Sequence, residues 1–256
     1  MLISCEGIVL RQRKIAGNRR MITIFSKEYG KLTAGTSLNE RGKGRSALAL
    51  RPFTHSEYEM FKARNSCNIN SAQVKQSFFS IGEDIDRYMA ASKLIEYVDS
   101  ILEEGEPSAR LFDMTIECLR CISESDSSAK TLLYAYVVKS LRILGVMPAI
   151  GGCVNCGRRD VLLPVFSIAA GGCMCRECSK AASPVDGASG PARLIYEPSF
   201  DIVQVLDFFV KTPFRQFVKL NLKPEVSFEL EKIVSEYVSY YLGSDVFRNM
   251  VNLGME

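Results

Sequence analysis

The chain has 256 residues, 47% apolar and 24% charged, an ordinary globular composition with enough length for two modest domains. No window approaches eighteen uninterrupted apolar residues, so nothing is expected to span a membrane. The net charge is only +3 but unevenly spread: residues 1 to 64 hold thirteen Lys or Arg against five Asp or Glu, a balance of +8, and the remaining chain is at −5. A basic module on a mildly acidic body suggests a polyanion-binding face carried on a protein-contacting scaffold, although a solvated basic surface without a ligand has the same composition.

In chain order, Cys5 to Arg13 and Arg19 to Ser26 are short and β-rich, with Gly17-Asn18 as a turn between them. Glu28-Tyr-Gly30 supplies a second turn before Lys31 to Gly35. Asn39 to Arg45 is polar and glycine-rich, a loop or edge bearing Arg41, Lys43 and Arg45. Extended patterning resumes from Phe53 to Ala63 and from Ser66 to Lys75. Five short strands in about seventy-five residues, separated by turn signals, suit a small closed barrel.

The pattern changes near Phe78. From Gly82, residues Ile85, Tyr88, Met89, Ala91, Ile95, Val98 and Leu102 recur mostly at three- and four-residue steps, an amphipathic helix ending before Pro107. A second helix carries Phe112, Ile116, Leu119 and Ile122, and a third, from about Ser128 to Leu144, is stopped by Gly145 and Pro148. Adjacent amphipathic helices with short connections form a bundle. After a small-residue segment at 181–191, helical periodicity returns from Phe200 to Val210 and from Val226 to Leu242, completing the bundle.

The most specific signal lies between these helices. Cys153-Val-Asn-Cys156-Gly157 is followed, eighteen residues later, by Cys175-Arg-Glu-Cys178. Two such pairs fit a four-thiolate zinc site, and Gly157 suits the positive φ that the tight turn between two sulfurs often needs. Four protein ligands close the coordination shell, so one structural Zn²⁺ is expected. Cys173 competes with Cys175, but only Cys175 keeps the two-residue loop with Cys178. Cys118-Leu-Arg-Cys121 lies in a helical pattern where positions three apart share a face, and is expected to be two core thiols.

The order of these parts resembles the RecO family of bacterial recombination mediators. The matching pieces are Gly7-Ile-Val-Leu-Arg11, Ile22-Thr-Ile-Phe-Ser26 with Gly30-Lys31, Leu141-Arg-Ile-Leu-Gly145-x-x-Pro148 leading into Cys153-x-x-Cys156-Gly157, Phe166 with Gly171-Gly172-x-x-Cys175-x-x-Cys178, and Tyr237-x-x-Tyr240-Tyr241-Leu242-Gly243. The resemblance implies an α+β multidomain protein: a five-stranded OB-fold barrel at 1–78, then an α-helical bundle domain at 79–256 with an inserted four-cysteine zinc module at about 150–182. It also implies binding of single- and double-stranded DNA, annealing of complementary strands, and work with RecR and single-stranded DNA-binding protein to help load RecA. The zinc ligands carried over are Cys153, Cys156, Cys175 and Cys178.

An OB barrel binds single strands with a basic groove and aromatic platforms. Here the candidates are Arg11, Arg13, Lys14, Arg19, Arg20, Arg41, Lys43 and Arg45, with Phe25, Tyr29, Phe53, Tyr58 and Phe61 as rings that either stack bases or fill the barrel. For the acidic, apolar tail of single-stranded DNA-binding protein, the candidates are Lys130, Lys139 and Arg142 on the third helix. Met1 to Glu6 does not read as a signal peptide, and a cytoplasmic, nucleoid-associated location with reduced thiols is expected.

Two other function classes compete with this reading. A zinc deaminase-type hydrolase would use His55-Ser-Glu57 as its H-x-E, but no proline precedes either metal cysteine pair and about a hundred residues separate His55 from Cys153. A structural adaptor would use the helical body without touching DNA. No enzyme activity is expected, and no G-x4-G-K-S/T loop is present for ATP.

Overall fold

Ile3, Cys5 and Val9 on the first strand alternate with outward-facing residues, and this period of two turns one face of the strand into a core shared with Ile22, Ile24, Ala34, Tyr58, Met60 and Ile69. The computed structural model describes residues 1–15, 19–38, 45–64, 66–181 and 194–248, for 45 and 46 the backbone alone. The expected turn at 17–18, the loop at 39–44 with Arg41 and Lys43, and residues 182–191 of the small-residue segment lie outside the described residues. The chain divides into two compact units, Met1–Leu133 and Tyr134–Glu256.

In the first unit, β1 (Leu2–Lys14), β2 (Arg20–Ser26), β3 (Gly30–Thr36), β4 (Thr54–Lys62) and β5 (Cys67–Ser77) close into a barrel of order β1-β2-β3-β5-β4. The long β1 serves both sides. Its first half pairs with β4, from Leu2 opposite Phe61 to Ile8 opposite His55, and its second half with β2, from Gly7 opposite Ser26 to Lys14 opposite Arg20. A register shift between Val9 and Arg11 lets the strand bend between these partners. Closure is completed by a parallel contact of Gly35 with Asn68. A short helix not anticipated in the sequence, α1 (Arg45–Ala49), packs on the barrel, where the buried Tyr58 hydroxyl donates to the Ala49 carbonyl at 2.7 Å.

A 3₁₀ turn at Phe79–Glu83 leads to α2 (Ile85–Ile101), whose N-cap Asp84 accepts from the Arg87 amide. Its buried face is Ala90, Ala91, Leu94, Ile95, Tyr97 and Val98. Ile85, Tyr88 and Met89, which the periodicity counts in the same stripe, are exposed, Ile85 by 71%. They lie within the first five residues of the helix, where Tyr88 instead meets Phe53 edge-on at 5.7 Å. On α3 (Ala109–Glu124) the expected stripe is buried, and Phe112 packs edge-on against Phe25 and His55 of the barrel. Cys118 and Cys121 are core thiols, with Cys118 raised well above the usual thiol range by burial. The division between the units falls in α4 (Ala129–Ile143), which buries residues on nearly every side from Leu132 to Leu141.

The second unit contains a small sheet of order β7-β6-β8, from β6 (Val165–Ser167), β7 (Gly172–Met174) and β8 (Ile195–Tyr196), with α5 (Arg176–Ala181) after β7. Strands of two or three residues are too short to leave a period in sequence. Then come α6 (Ile202–Lys211), α7 (Phe214–Phe217) and α8 (Pro224–Leu242), the last opened by Pro at its first turn and closed by Gly243 in the left-handed region. The Tyr237 and Tyr241 hydroxyls of α8 each donate at 3.0 Å, to the carbonyls of Val146 and Ile168. Among the described residues no helix is long and apolar enough to cross a membrane.

Gly30 shows how tightly the chain after α2 holds the barrel. Its φ is +67°, and a Cβ there would run into the Glu106 backbone, while the next residue, Lys31, accepts at its carbonyl from the Gly105 amide at 2.9 Å. Gly30→Ala combines left-handed strain with a backbone clash, and we expect a loss of about 2 kcal/mol or more in stability by denaturant unfolding. Gly82→Ala, where a Cβ meets nothing, is the control.

Candidate metal centre and nucleic-acid interface

The chain leaves α4 through Gly145 at φ +77° and forms a tight turn in which the Gly157 amide donates to the Cys153 carbonyl at 2.8 Å. Gly157 has φ +73°, the conformation its place after Cys156 implies. From the other side, β7 leads directly into Cys175 and the first turn of α5 delivers Cys178. Gly172 lets the two halves approach: the Cys173 amide donates to the Ala149 carbonyl at 2.9 Å, and a Cβ at Gly172 would run into that same carbonyl.

The result is a cluster in which the sulfurs of Cys153, Cys156, Cys175 and Cys178 all lie within 4.8 Å of one another. Four sulfurs each ~2.3 Å from one tetrahedral ion stand ~3.8 Å apart. Cys156 and Cys175 are separated by 4.0 Å, so the cluster has the size such an ion requires. Cys153, Cys175 and Cys178 are buried beside Val165 and Met174, while Cys156 is exposed. Cys173 is buried outside the cluster, its thiol pushed up to about 12 by burial.

Each sulfur has its own electrostatic surroundings. Burial raises Cys153, but amides of Cys156, Cys175 and Asn155 outweigh it and bring the thiol down to about 6. Cys156 is lowered chiefly by the Arg158 guanidinium, whose Nε donates to its sulfur at 3.4 Å. Asn155 lowers Cys178, yet burial and the neighbouring sulfurs together push that thiol up to about 12. The arrangement can therefore hold a metal ion, whose charge would offset that of the clustered thiolates. Arg158 is a part of the site that sequence reasoning missed; its only signal there is a donor two residues beyond the second cysteine.

His55 stands on β4 of the barrel. Its Nε2 is 3.0 Å from the Glu6 carboxylate, Lys75 also pairs with Glu6, and burial holds the imidazole below its ordinary value. Among the described residues the group that could hold a metal contains cysteines alone.

On the barrel, Arg11 and Arg13 of β1 stand opposite Thr23 and Met21 of β2, and Thr23 stands opposite Thr33 of β3. Together with Ile15 these residues line a groove of about 460 Å³. Arg13, Lys14 and Arg19 are exposed, and among the described residues no ion pair engages them. Arg20 is half-buried. Arg11 reaches Asp99 of α2 at 3.5 Å, and Lys31 makes a shorter pair with the same carboxylate. Asp99 gives no signal in sequence, being one acid among several on an exposed-looking helix face. Arg45 opens α1. The exterior of β4 is mixed in charge, with Glu57, Glu59 and Lys62, whereas Arg11, Arg13 and Lys14 follow closely along the end of β1.

The structure also sorts the rings. Phe25, Phe53 and Tyr58 are buried, Tyr29 is half-buried with Lys62 Nζ over its ring at 5.4 Å, and Phe61 is 50% exposed. On α4, Lys130 and Arg142 are exposed, whereas Lys139 donates to the Val210 carbonyl at 3.0 Å and lies over the Phe214 ring.

Residues 1–78 match the family described as Recombination protein O N terminal, and residues 82–249 match Recombination protein O C terminal. The chain is 28% identical over 250 residues to the DNA repair protein RecO of Alkaliphilus metalliredigens, covering 98% of both. It is 32% identical over 186 residues to that of Desulfitobacterium hafniense, covering 71% of this chain and 67% of the relative. Bacillus pumilus RecO is 25% identical over 255 residues, 98% of this chain and 95% of the relative. With a closed β1-β2-β3-β5-β4 barrel, a helical region and a four-cysteine cluster arranged along a sequence matched over nearly its whole length, the chain belongs to the RecO family of DNA repair proteins.

Proposed function

We propose that this protein is a recombination mediator that binds single- and double-stranded DNA, anneals complementary strands, and helps load RecA on DNA coated with single-stranded DNA-binding protein. The observation that carries the DNA role is the cationic groove of Arg11 and Arg13 on the outer face of β1–β3, flanked by exposed Lys14 and Arg19. OB folds bind nucleic acid on the face of strands 2 and 3 and the adjoining loops. The Arg11–Asp99 pair is exposed enough to yield to a phosphate, since such pairs contribute at most about 1 kcal/mol. Residues 1–78 act as the DNA-binding domain, joined by Arg20, Arg41, Lys43 and Arg45, and residues 79–256 as the partner-binding domain. The partners are RecR and the acidic tail of single-stranded DNA-binding protein, with RecA engaged indirectly, at the nucleoid in the cytoplasm.

The ion assigned to the cysteine cluster is a single Zn²⁺ bound by Cys153, Cys156, Cys175 and Cys178. All-thiolate tetrahedral sites suit zinc, and four protein ligands leave no position for substrate. Its role is to hold the turn after α4 against β7 and α5, and no catalytic step is assigned to it.

Elemental analysis should find one zinc per chain, lost in Cys153→Ser and Cys178→Ser and kept in Cys118→Ser. Equal loss in the Cys118 variant would show that the wrong cysteines have been paired.

For the DNA role, oligonucleotide affinity should fall steeply with salt, and the Arg11→Ala/Arg13→Ala and Arg13→Ala/Arg19→Ala pairs should each flatten the salt slope by about one unit per lost phosphate contact. An unchanged slope in both would place the DNA face elsewhere. For the partner, calorimetry with a peptide of the acidic tail should show binding that Arg142→Glu weakens about tenfold and that is lost without the peptide's terminal aromatic residue. Binding indifferent to both changes would remove α4 from the partner surface.

A further inference from the structure

The four sulfurs are protected unequally. Cys153 is buried and receives the Cys175 amide at 3.4 Å as well as amides of its own turn. Cys156 is the exposed corner of the cluster. What covers it is a side chain. The Arg158 guanidinium donates from Nε to Cys156 at 3.4 Å and reaches Cys175 from its terminal nitrogen at 3.8 Å, so one planar group spans the exposed sulfur and a buried neighbour. Glu177, on the first turn of α5 between Cys175 and Cys178, pairs with the same terminal nitrogen and fixes the guanidinium's orientation. A guanidinium keeps its charge at any pH the protein meets, so Arg158 is a permanent cation beside the two sulfurs.

Four thiolates around a divalent ion carry a net charge of −2, and a thiolate attacks electrophiles with a lone pair whose availability falls when it accepts a hydrogen bond. Arg158 therefore acts on Cys156 and Cys175 as the backbone amides act on Cys153: it offsets charge and occupies lone pairs. Arginine suits this better than lysine, because its fork of donors keeps a fixed spacing while an ammonium is a single mobile point.

Resting on the four-cysteine zinc reading above, we propose that Arg158 is a positioning residue of the metal centre that restrains attack at Cys156 and so sets the rate at which oxidants expel the ion. The reaction restrained is a two-electron oxidation by peroxide. The Cys156 sulfur takes one oxygen and hydroxide leaves. The Cys175 sulfur, 4.0 Å away, then displaces that oxygen as a second hydroxide, and a sulfur–sulfur bond forms as peroxide is reduced. With two ligands lost, the ion departs.

The test is zinc release from the full-length, metal-loaded chain treated with hydrogen peroxide, followed with a chromogenic chelator, with peptide mass spectrometry identifying the first cysteine modified. Arg158→Ala is expected to release zinc about tenfold faster than the unaltered chain, Arg158→Lys to fall between them, and Glu177→Gln to give a smaller acceleration. Cys156 should be the first sulfur modified in every case. Release from metal-loaded Arg158→Ala at the unaltered rate would overturn the proposal, as would full rescue by lysine or first modification at Cys153 or Cys178. If Arg158→Ala does not fold, unaltered release in both Arg158→Lys and Glu177→Gln would overturn it equally. Absence of zinc from the unaltered chain is a separate outcome: it would overturn the four-cysteine reading and this inference with it.

Discussion

Four thiols brought within 4.8 Å of one another cannot all ionise unless positive charge is supplied among them. That constraint organises the whole region after α4. It accounts for the amides turned toward Cys153, for the guanidinium laid across Cys156 and Cys175, and for the lift of Cys178 by its neighbours. It also accounts for the glycines. A cluster this tight needs Gly157 for the left-handed φ of its turn and Gly172 for its approach to the Ala149 carbonyl, where a Cβ would hold the two cysteine pairs apart. Secondary structure around the site is slight, three strands of two or three residues and one short helix, and α8 steadies it through the Tyr241 hydroxyl on the Ile168 carbonyl.

The barrel solves a different electrostatic problem. Two arginines of β1 line a groove with residues of β2 and β3, while the exterior of β4 mixes glutamates with a lysine. Positive charge gathered in a groove raises the local potential for anions on that side. Asp99 shapes the attractive side. By pairing with both Arg11 and Lys31, it ties two strands to α2 and keeps Lys31 mostly covered while leaving Arg11 reachable.

How much of this could be read from sequence depended on repetition. The five barrel strands and five of the longer helices follow periods of two and about 3.6 over seven or more residues, and they stand where those periods place them. The paired cysteines carry their spacing openly. Features resting on a single residue in a tertiary setting were not legible: α1, which is a five-residue helix on the barrel, the role of Arg158, and the double pairing of Asp99. Rings gave a mixed result, because Phe25 and Phe61 both alternate with core residues of their strands, and Phe25 is buried where Phe112 of α3 packs on it while Phe61 stays exposed. The stripe on α2 misled at Ile85, Tyr88 and Met89, since a helical period continues past the point where neighbours stop covering it.

The double service of β1 has a consequence for how the barrel is made. Its second half finds β2 within a few residues, as a local hairpin, but its first half must wait for β4, whose partner positions run from His55 to Phe61. During synthesis the chain therefore carries an amino-terminal edge of unpaired amides from Leu2 to Ile8 until more than sixty residues have emerged. Contacts so distant in sequence are slow to close, and an open edge can recruit other strands meanwhile. The charged and polar residues alternating along that edge, Ser4 and Glu6, limit the hazard in the interval before the barrel closes.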